Sequence, residues 1–256
     1  MRALVLAAGV GERLRPLTET TPKPMLDLNG RPLIHYALAM LKRAGITEVA
    51  VNVHHLAGEL QSALGDGSQL GLHITWAPEP VLLGTGGPLN GLRDFLRDDT
   101  FVIANSDTIL DLDLAKVIAF HRDRGALATI GLNRPENLDY YSRFELDNDS
   151  RIRRVRLLKR RSPLEYDDYP PDADFKTAAS DYMYCGFIVI EPACLDLIPQ
   201  TPPWSLFQGL FAPMVARGLP VFGWIHRGLM RTVDDLETYE HLRQEFTERP
   251  PKLLLD

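Results

Sequence analysis

Residues 3–8 read Ala-Leu-Val-Leu-Ala-Ala, and Gly9-Val10-Gly11-Glu12-Arg13-Leu14 follow at once. A short, unbroken apolar run rich in Val and Leu reads as a strand buried on both faces, as inside a parallel sheet. It delivers a glycine-containing loop whose backbone can approach a ligand closely. Successive N–H groups of such a loop can point into one concavity and hold a polyphosphate. Arg13 offers a fixed fork of donors for phosphate oxygens, and Lys23, stiffened by Pro22 and Pro24, offers a compact charge. A dinucleotide fingerprint would need glycine where Leu14 stands, and a Walker A loop would need G-K-[ST], which is absent. By itself a G-x-G turn beside Arg and Lys also reads as an ordinary tight turn. The loop alone does not decide the function.

Working outward, apolar residues at helical spacing predict a helix over Pro32–Ala44, stopped by Gly45. Glu48–Val53 is a strand, and Ala57–Leu64 a helix closed by Gly65-Asp66-Gly67. Leu72–Trp76 is a strand, Gly87–Leu96 a helix, and Phe101–Ala104 a buried strand that ends at Asn105-Ser106-Asp107. This alternation predicts an α/β, Rossmann-like fold: a mostly parallel mixed sheet flanked by helices. Ligands in such sheets collect beyond the carboxyl ends of the strands. The segments after Ala8 and after Ala104 both fall there.

The second half is richer in strands: Leu127–Leu132, a hairpin of Ser142–Leu146 and Arg151–Leu157 turning at 147–150, and Tyr182–Ile190. Pro163–Asp174 reads as a long polar loop, and Leu206–Arg217 as a helix. The expectation is one domain over residues 1–248, with a nucleotide-binding half (1–110) and a smaller β-rich, sugar-binding half (111–248). Residues 249–256 form a tail, and no hexapeptide repeat is present.

The chain has 256 residues, 45% hydrophobic and 24% charged, in the proportions of a soluble globular protein. A formal net charge of −6 disfavours general nucleic-acid binding, and no apolar stretch approaches the ~20 residues that span a bilayer. No secretory leader is visible, so a cytoplasmic location is expected. Cys185 and Cys194 lack metal-ligand spacing and read as core residues. His54 and His55 follow a strand without a third ligand, and read as a surface helix entry.

Leu6-Ala7-Ala8-Gly9-Val10-Gly11-Glu12-Arg13-Leu14-Arg15-Pro16-Leu17-Thr18, then Pro22-Lys23-Pro24, closely resembles the N-terminal signature of sugar-1-phosphate nucleotidylyltransferases. That family includes mannose-1-phosphate guanylyltransferases and muramate-1-phosphate uridylyltransferases. The likeness continues through Pro32-Leu-Ile, Gly65-Asp-Gly-Ser, Gly84-Thr-Gly-Gly and Asn105-Ser-Asp107, and thins after residue 110. It implies transfer of a nucleotidyl group from a nucleoside triphosphate to a sugar-1-phosphate. Arg13, Lys23 and Asp107 would be catalytic, and Asp107 would hold Mg²⁺. Leu6, Ala7, Ala8, Gly9, Gly11, Arg13, Glu79, Gly84, Thr85 and Asn105 would bind nucleotide, and Lys159 and Gly186 the sugar phosphate. An oligomer is compatible with this reading.

The rival readings are a turn or helix cap for Asp107 and a bulge for Gly186. Two departures from the family pattern stand out. The family's Glu-Lys-Pro is replaced by Arg156–Arg161, in which Lys159 alone could inherit the lysine's role; the whole basic run Arg151–Arg161 reads by default as a solvated strand face, with a wider anionic ligand site as the alternative. Near the C-terminus Thr232 stands where the family has a second metal-binding aspartate, with Asp234 and Asp235 nearby. The expectation is therefore a site with one metal carboxylate. The departures also favour a rival class, a non-catalytic nucleotide or nucleotide-sugar sensor.

Overall fold

A computed structural model describes residues 1–134, 141–159, 166–170 and 179–249. The chain divides into two compact units, and the division is not the single boundary at residue 110 that the sequence suggests. The first unit holds Met1–Leu82, Phe101–Ala115 and the described residues from Gly228 on; the second holds Leu83–Thr100 and Lys116–Arg227.

In the first unit, strand β1 (Arg2–Leu6) buries Ala3, Leu4 and Val5 completely. The short strands β2 (Asp27–Leu28) and β3 (Arg31–Pro32) form a hairpin that leads into helix α1 (Leu33–Arg43). Strand β4 (Glu48–Val53), helix α2 (Ala57–Leu64), strand β5 (His73–Pro78) and strand β6 (Phe101–Asn105) complete the parallel core. The strand order is β5-β4-β1-β6, all parallel. After β1 the chain fills one flank with β4 and β5, then crosses to the other flank with β6. The crevice at the carboxyl ends of β1 and β6 is therefore the switch point at which such sheets bind ligands.

Strand β7 (Thr108–Leu110) pairs with β14 (Met230–Thr232), which brings the C-terminal helix α7 (Leu236–Glu248) back to this unit. Tyr239, Leu242 and Phe246 of α7 pack with Leu14, Leu26, Leu28, Leu33, Tyr36 and Ile109. The Tyr239 hydroxyl donates to the Asp27 carbonyl at 2.7 Å.

The second unit contains the short helices α3 (Pro88–Gly91) and α4 (Arg93–Leu96), where the sequence predicts one helix; helix α5 (Leu114–Asp123) runs into it. Its sheet combines β8 (Ala128–Asn133), β9 (Arg143–Leu146), β10 (Ile152–Leu158), β11 (Tyr166–Tyr169), β12 (Ala179–Ile190) and β13 (Val221–Ile225). Among the described residues of this unit only β8–β13 pairs in parallel; β9–β10, β10–β11, β12–β8 and β12–β9 are antiparallel. The expected fold class holds: a mostly parallel first half and a β-rich second one.

Three expectations are corrected or narrowed. Residues 166–169 are a strand rather than loop, because Tyr166-Asp-Asp-Tyr169 extends the hairpin by pairing with β10. The rest of the expected Pro163–Asp174 loop, and the tail from residue 250, lie outside the described residues. The expected Leu206–Arg217 helix begins with a π-helical turn (Phe207–Phe211) before α6 (Ala212–Ala216), with Pro213 near the junction. Cys185 and Cys194 are both buried and free, as expected of core residues, and burial pushes the Cys194 thiol up to about 12.

Phe246→Ala removes a fully buried ring from the first unit's core and should cost about 3–5 kcal/mol. A urea unfolding curve whose midpoint does not move would contradict this packing.

Candidate nucleotide-binding site

The crevice at the switch point is a cavity of about 520 Å³ within the first unit. Its lining is Leu6, Ala7, Gly9, Val10, Gly11, Glu12, Arg13, Lys23, Pro24, Leu82, Ser106, Asp107 and Asp234. Beyond β1 the backbone leaves the ladder. Among the described residues, no backbone N–H from Ala8 to Arg13 donates to a protein acceptor. A run of unsatisfied donors at the edge of a cavity is an anion-binding arrangement. Gly11 has φ +69°, and a Cβ there would stand 2.8 Å from the Thr18 methyl. Glycine is therefore required by both conformation and space.

Lys23 and Asp107 form an ion pair between largely buried groups, Nζ to Oδ2. Arg13 lies on a short 3-10 turn, Glu12–Leu14, with its side chain 68% exposed and Nη2 3.5 Å from Asp234 Oδ1. That exposure leaves the guanidinium free to meet a ligand, and the pair with Asp234 adds little stability.

A second carboxylate, Asp234, stands beside Asp107 in the cavity lining. Thr232 lies in β14 opposite Thr108, whereas Asp234, two residues on, lines the cavity. Burial, followed by the nearby Asp107 carboxylate, pushes the Asp234 carboxyl above its ordinary value; Lys23 and Arg13 oppose the shift. Asp235 is occupied otherwise. As N-cap of α7 it accepts from the Thr238 N–H at 2.9 Å and from the Thr238 hydroxyl at 2.7 Å. Those bonds hold its carboxyl below the usual range. The cap fixes the start of α7, and with it the residue just before.

The structure thus gathers Leu6, Ala7, Gly9, Gly11, Arg13, Lys23 and Asp107 around one cavity. Ala8 and Asn105 adjoin it without lining it; Asn105 ends β6 in register with Leu6. Glu79 is also outside the lining. It is buried, and its Oε1 accepts from Asn52 Nδ2 at 2.8 Å.

The remaining expected residues belong to the second unit. Gly84 and Thr85 pack against the 204–206 segment: a Cβ on Gly84 would stand 2.5 Å from the Trp204 carbonyl, and Thr85 Oγ1 accepts from the Leu206 N–H at 3.0 Å. Lys159 Nζ is 3.6 Å from Asp167. Gly186 has φ +97° where the β12–β8 register shifts, so the bulge reading is satisfied. Within the basic run, Arg153, Arg154 and Arg156 pair with Asp147, Glu145 and Asp168. Ser106 is the residue that sequence reasoning passed over inside a motif it had quoted. Its hydroxyl donates to the Leu6 carbonyl at 2.7 Å.

Comparison with known proteins gives the family. Residues 2–156 match the nucleotidyl transferase family. The chain belongs to that family. It is 33% identical over 235 residues to a UTP–glucose-1-phosphate uridylyltransferase of Synechocystis, covering 87% of this chain and 57% of the relative. It is 31% identical over 238 residues to a mannose-1-phosphate guanylyltransferase of Mycobacterium tuberculosis, covering 93% and 62%. The chain therefore spans only about three fifths of the length of these relatives. In fold it is similar to HddC from Yersinia pseudotuberculosis, crystallised with GMP-PN, at a TM-score of 0.70 and 17% identity, covering 96% of this chain and 99% of that one.

The two loop glycines should respond differently to alanine. Gly9 has open space around its Cα, whereas Gly11 combines a left-handed conformation with the Thr18 contact. Gly11→Ala should therefore cost roughly 2 kcal/mol more than Gly9→Ala, from the left-handed conformation alone. Thermal melting of the two variants side by side measures the difference; equal melting temperatures would contradict the loop conformation.

Proposed function

We propose that this chain catalyses nucleotidyl transfer, joining a nucleoside triphosphate to a sugar-1-phosphate with release of pyrophosphate. The observation that carries the proposal is the run of N–H groups from Ala8 to Arg13 without a protein acceptor, in a loop whose residues from Gly9 to Arg13 line one cavity with Lys23, Asp107 and Asp234. The named activities of the relatives, uridylyl and guanylyl transfer, support the reaction class and leave the base open.

A sugar phosphate is already an anion at neutral pH, so no general base is required. Its oxygen attacks the α-phosphorus, and the bond to the β-phosphate oxygen breaks with its electron pair leaving on pyrophosphate. Positioning and charge neutralisation carry such a step. The loop amides hold the polyphosphate, and exposed Arg13 reaches the charge that develops on the leaving pyrophosphate. Lys23 lies where it can serve the α-phosphate or the incoming phosphate.

The site fits a divalent cation. Asp234 is raised by a neighbouring carboxylate in a largely desolvated setting, which is a demand for added positive charge. Asp107 and Asp234 would hold Mg²⁺, whose sites often use one or two carboxylates with water and substrate phosphates. Bound there, the cation would neutralise charge on the phosphates in the transition state. Among the described residues no three His, Cys, Asp or Glu side chains form a metal-binding group, so phosphates and water would complete the shell. Lys159 and Gly186 stay proposed for the sugar phosphate on resemblance alone. Of the two departures that favour a sensor, the one at Thr232 loses weight if Asp234 supplies the second carboxylate, while the loss of Glu-Lys-Pro stands. No described helix is long and apolar enough to cross a membrane, which fits work on small polar substrates, and a cytoplasmic setting is part of the proposal.

Arg13→Ala should lower kcat by roughly 100-fold or more, the scale of losing one transition-state donor. Asp107→Asn and Asp234→Asn should each abolish Mg²⁺-dependent pyrophosphate release, because an amide oxygen is a poor ligand for a hard cation. Thr232→Asp should leave the Mg²⁺ requirement unchanged. If Asp234→Asn keeps parental turnover while Thr232→Asp lowers the Mg²⁺ concentration needed, Asp234 is not the second carboxylate.

A further inference from the structure

Strand β4 ends at Asn52-Val53, and His54-His55 follow. Three of these four side chains reach out of the strand to the loops around the cavity. Asn52, 3% exposed, accepts the Ala7 N–H at 2.7 Å through Oδ1 and donates to Glu79 Oε1 at 2.8 Å through Nδ2. His54 Nδ1–H donates to the Glu79 carbonyl at 2.7 Å. His55 Nε2–H donates to the Thr18 carbonyl at 2.7 Å, and the Thr18 hydroxyl donates to the Gly11 carbonyl at 2.8 Å. A carbonyl can only accept, so each histidine nitrogen facing one carries the proton.

We propose that Asn52, Glu79 and His55 are positioning residues that bracket the phosphate loop, fixing its entry at Ala7 and its far side at Gly11. The proposal rests on the nucleotidyl-transfer reading and deepens it. Leu6 is the last β1 residue in register with β4, opposite Asn52 itself. The Ala7 amide lies one step beyond the ladder, and the Asn52 side chain satisfies it in place of a strand carbonyl. The strand can then stop, and the backbone turn, without leaving a buried donor unpaired. Glu79 determines which way the Asn52 amide faces: a carboxylate accepts, so Nδ2 must point to it and Oδ1 to Ala7. Glu79 acts on the nucleotide through Asn52 and the loop rather than by touching the base.

The test compares Asn52→Ala, Glu79→Ala, Glu79→Gln, His55→Ala and His55→Gln. Glutamine keeps an acceptor at 79 and a terminal N–H donor at 55. Two readouts are taken: kcat and KM with each of four nucleoside triphosphates, and exchange of the Ala7 amide by NMR, which needs no turnover. Asn52→Ala and Glu79→Ala should expose the Ala7 amide to exchange, and all three alanine variants should lose kcat/KM by roughly 10- to 100-fold, the scale of misplacing a reacting group. Both glutamine variants should stay near the parent, with the ranking of nucleotides unchanged. A shift of nucleotide ranking in Glu79→Gln would overturn the proposal in favour of direct base contact. Unchanged Ala7 exchange in Asn52→Ala would overturn it as well. If Asn52→Ala fails to fold, the His55 pair decides: equal loss in alanine and glutamine variants contradicts the bracket. If the parent turns over no substrate, nucleotidyl transfer fails, and Ala7 exchange still tests the bracket separately.

Discussion

The site depends on where β1 is made to stop. The strand runs between two parallel neighbours, and up to Leu6 its backbone groups have partners on both sides. At that end the Asn52 side chain takes the Ala7 N–H, and the Leu6 carbonyl accepts from both the hydroxyl and the backbone N–H of Ser106. An unpaired buried amide is costly, so these contacts are the condition for the backbone to leave the sheet at that point. The loop that follows can then present free N–H groups to the switch-point crevice. A longer β1 would place those amides in the ladder, and a looser one would not hold them in a concavity.

Charge is arranged with the same economy. The protein carries a net negative charge, yet the cavity combines free amides, Lys23 and Arg13 with two carboxylates. Lys23 balances Asp107, while Asp234 remains raised by burial and by its acidic neighbour. On the proposed function, a cation and phosphates would bind there together. The position of Asp234 is itself a consequence of packing: α7 docks through Tyr239, Leu242 and Phe246, and Asp235 caps the helix.

Much of the parallel core was legible in the sequence because its strands are continuous apolar runs. Ala3–Ala8 and Phe101–Ala104 read as strands, though the first stops at Leu6 because Ala7 and Ala8 already belong to the loop, and Ala57–Leu64 is closed by its glycines. The loop and Asp107 were legible because each follows a buried strand, and Lys23 because Pro22 and Pro24 flank it in a segment that resembles the family signature. Asp234 was not, because Thr232-Val-Asp-Asp235 could project any of three polar side chains until the cap of α7 fixes which one faces inward. Gly84 and Thr85 have a role in packing against Trp204, far along the chain, that no local pattern announces. Tyr166–Tyr169 reads as loop because strand pairing, not composition, makes it a strand. Helix α7 shows its apolar face at Tyr239, Leu242 and Phe246, a helical spacing within a polar segment that the sequence reading did not assign.

We propose that the crevice joins a nucleoside triphosphate to a sugar phosphate, rather than merely holding one of them. Phosphorus NMR of the unmodified protein with Mg²⁺, four nucleoside triphosphates and a panel of sugar-1-phosphates measures this directly. At least one pair should convert to a diphosphodiester and pyrophosphate in equal amounts, and only when both substrates are present. Nucleotide binding without pyrophosphate from any pair, or triphosphate hydrolysis independent of the sugar phosphate, would contradict it.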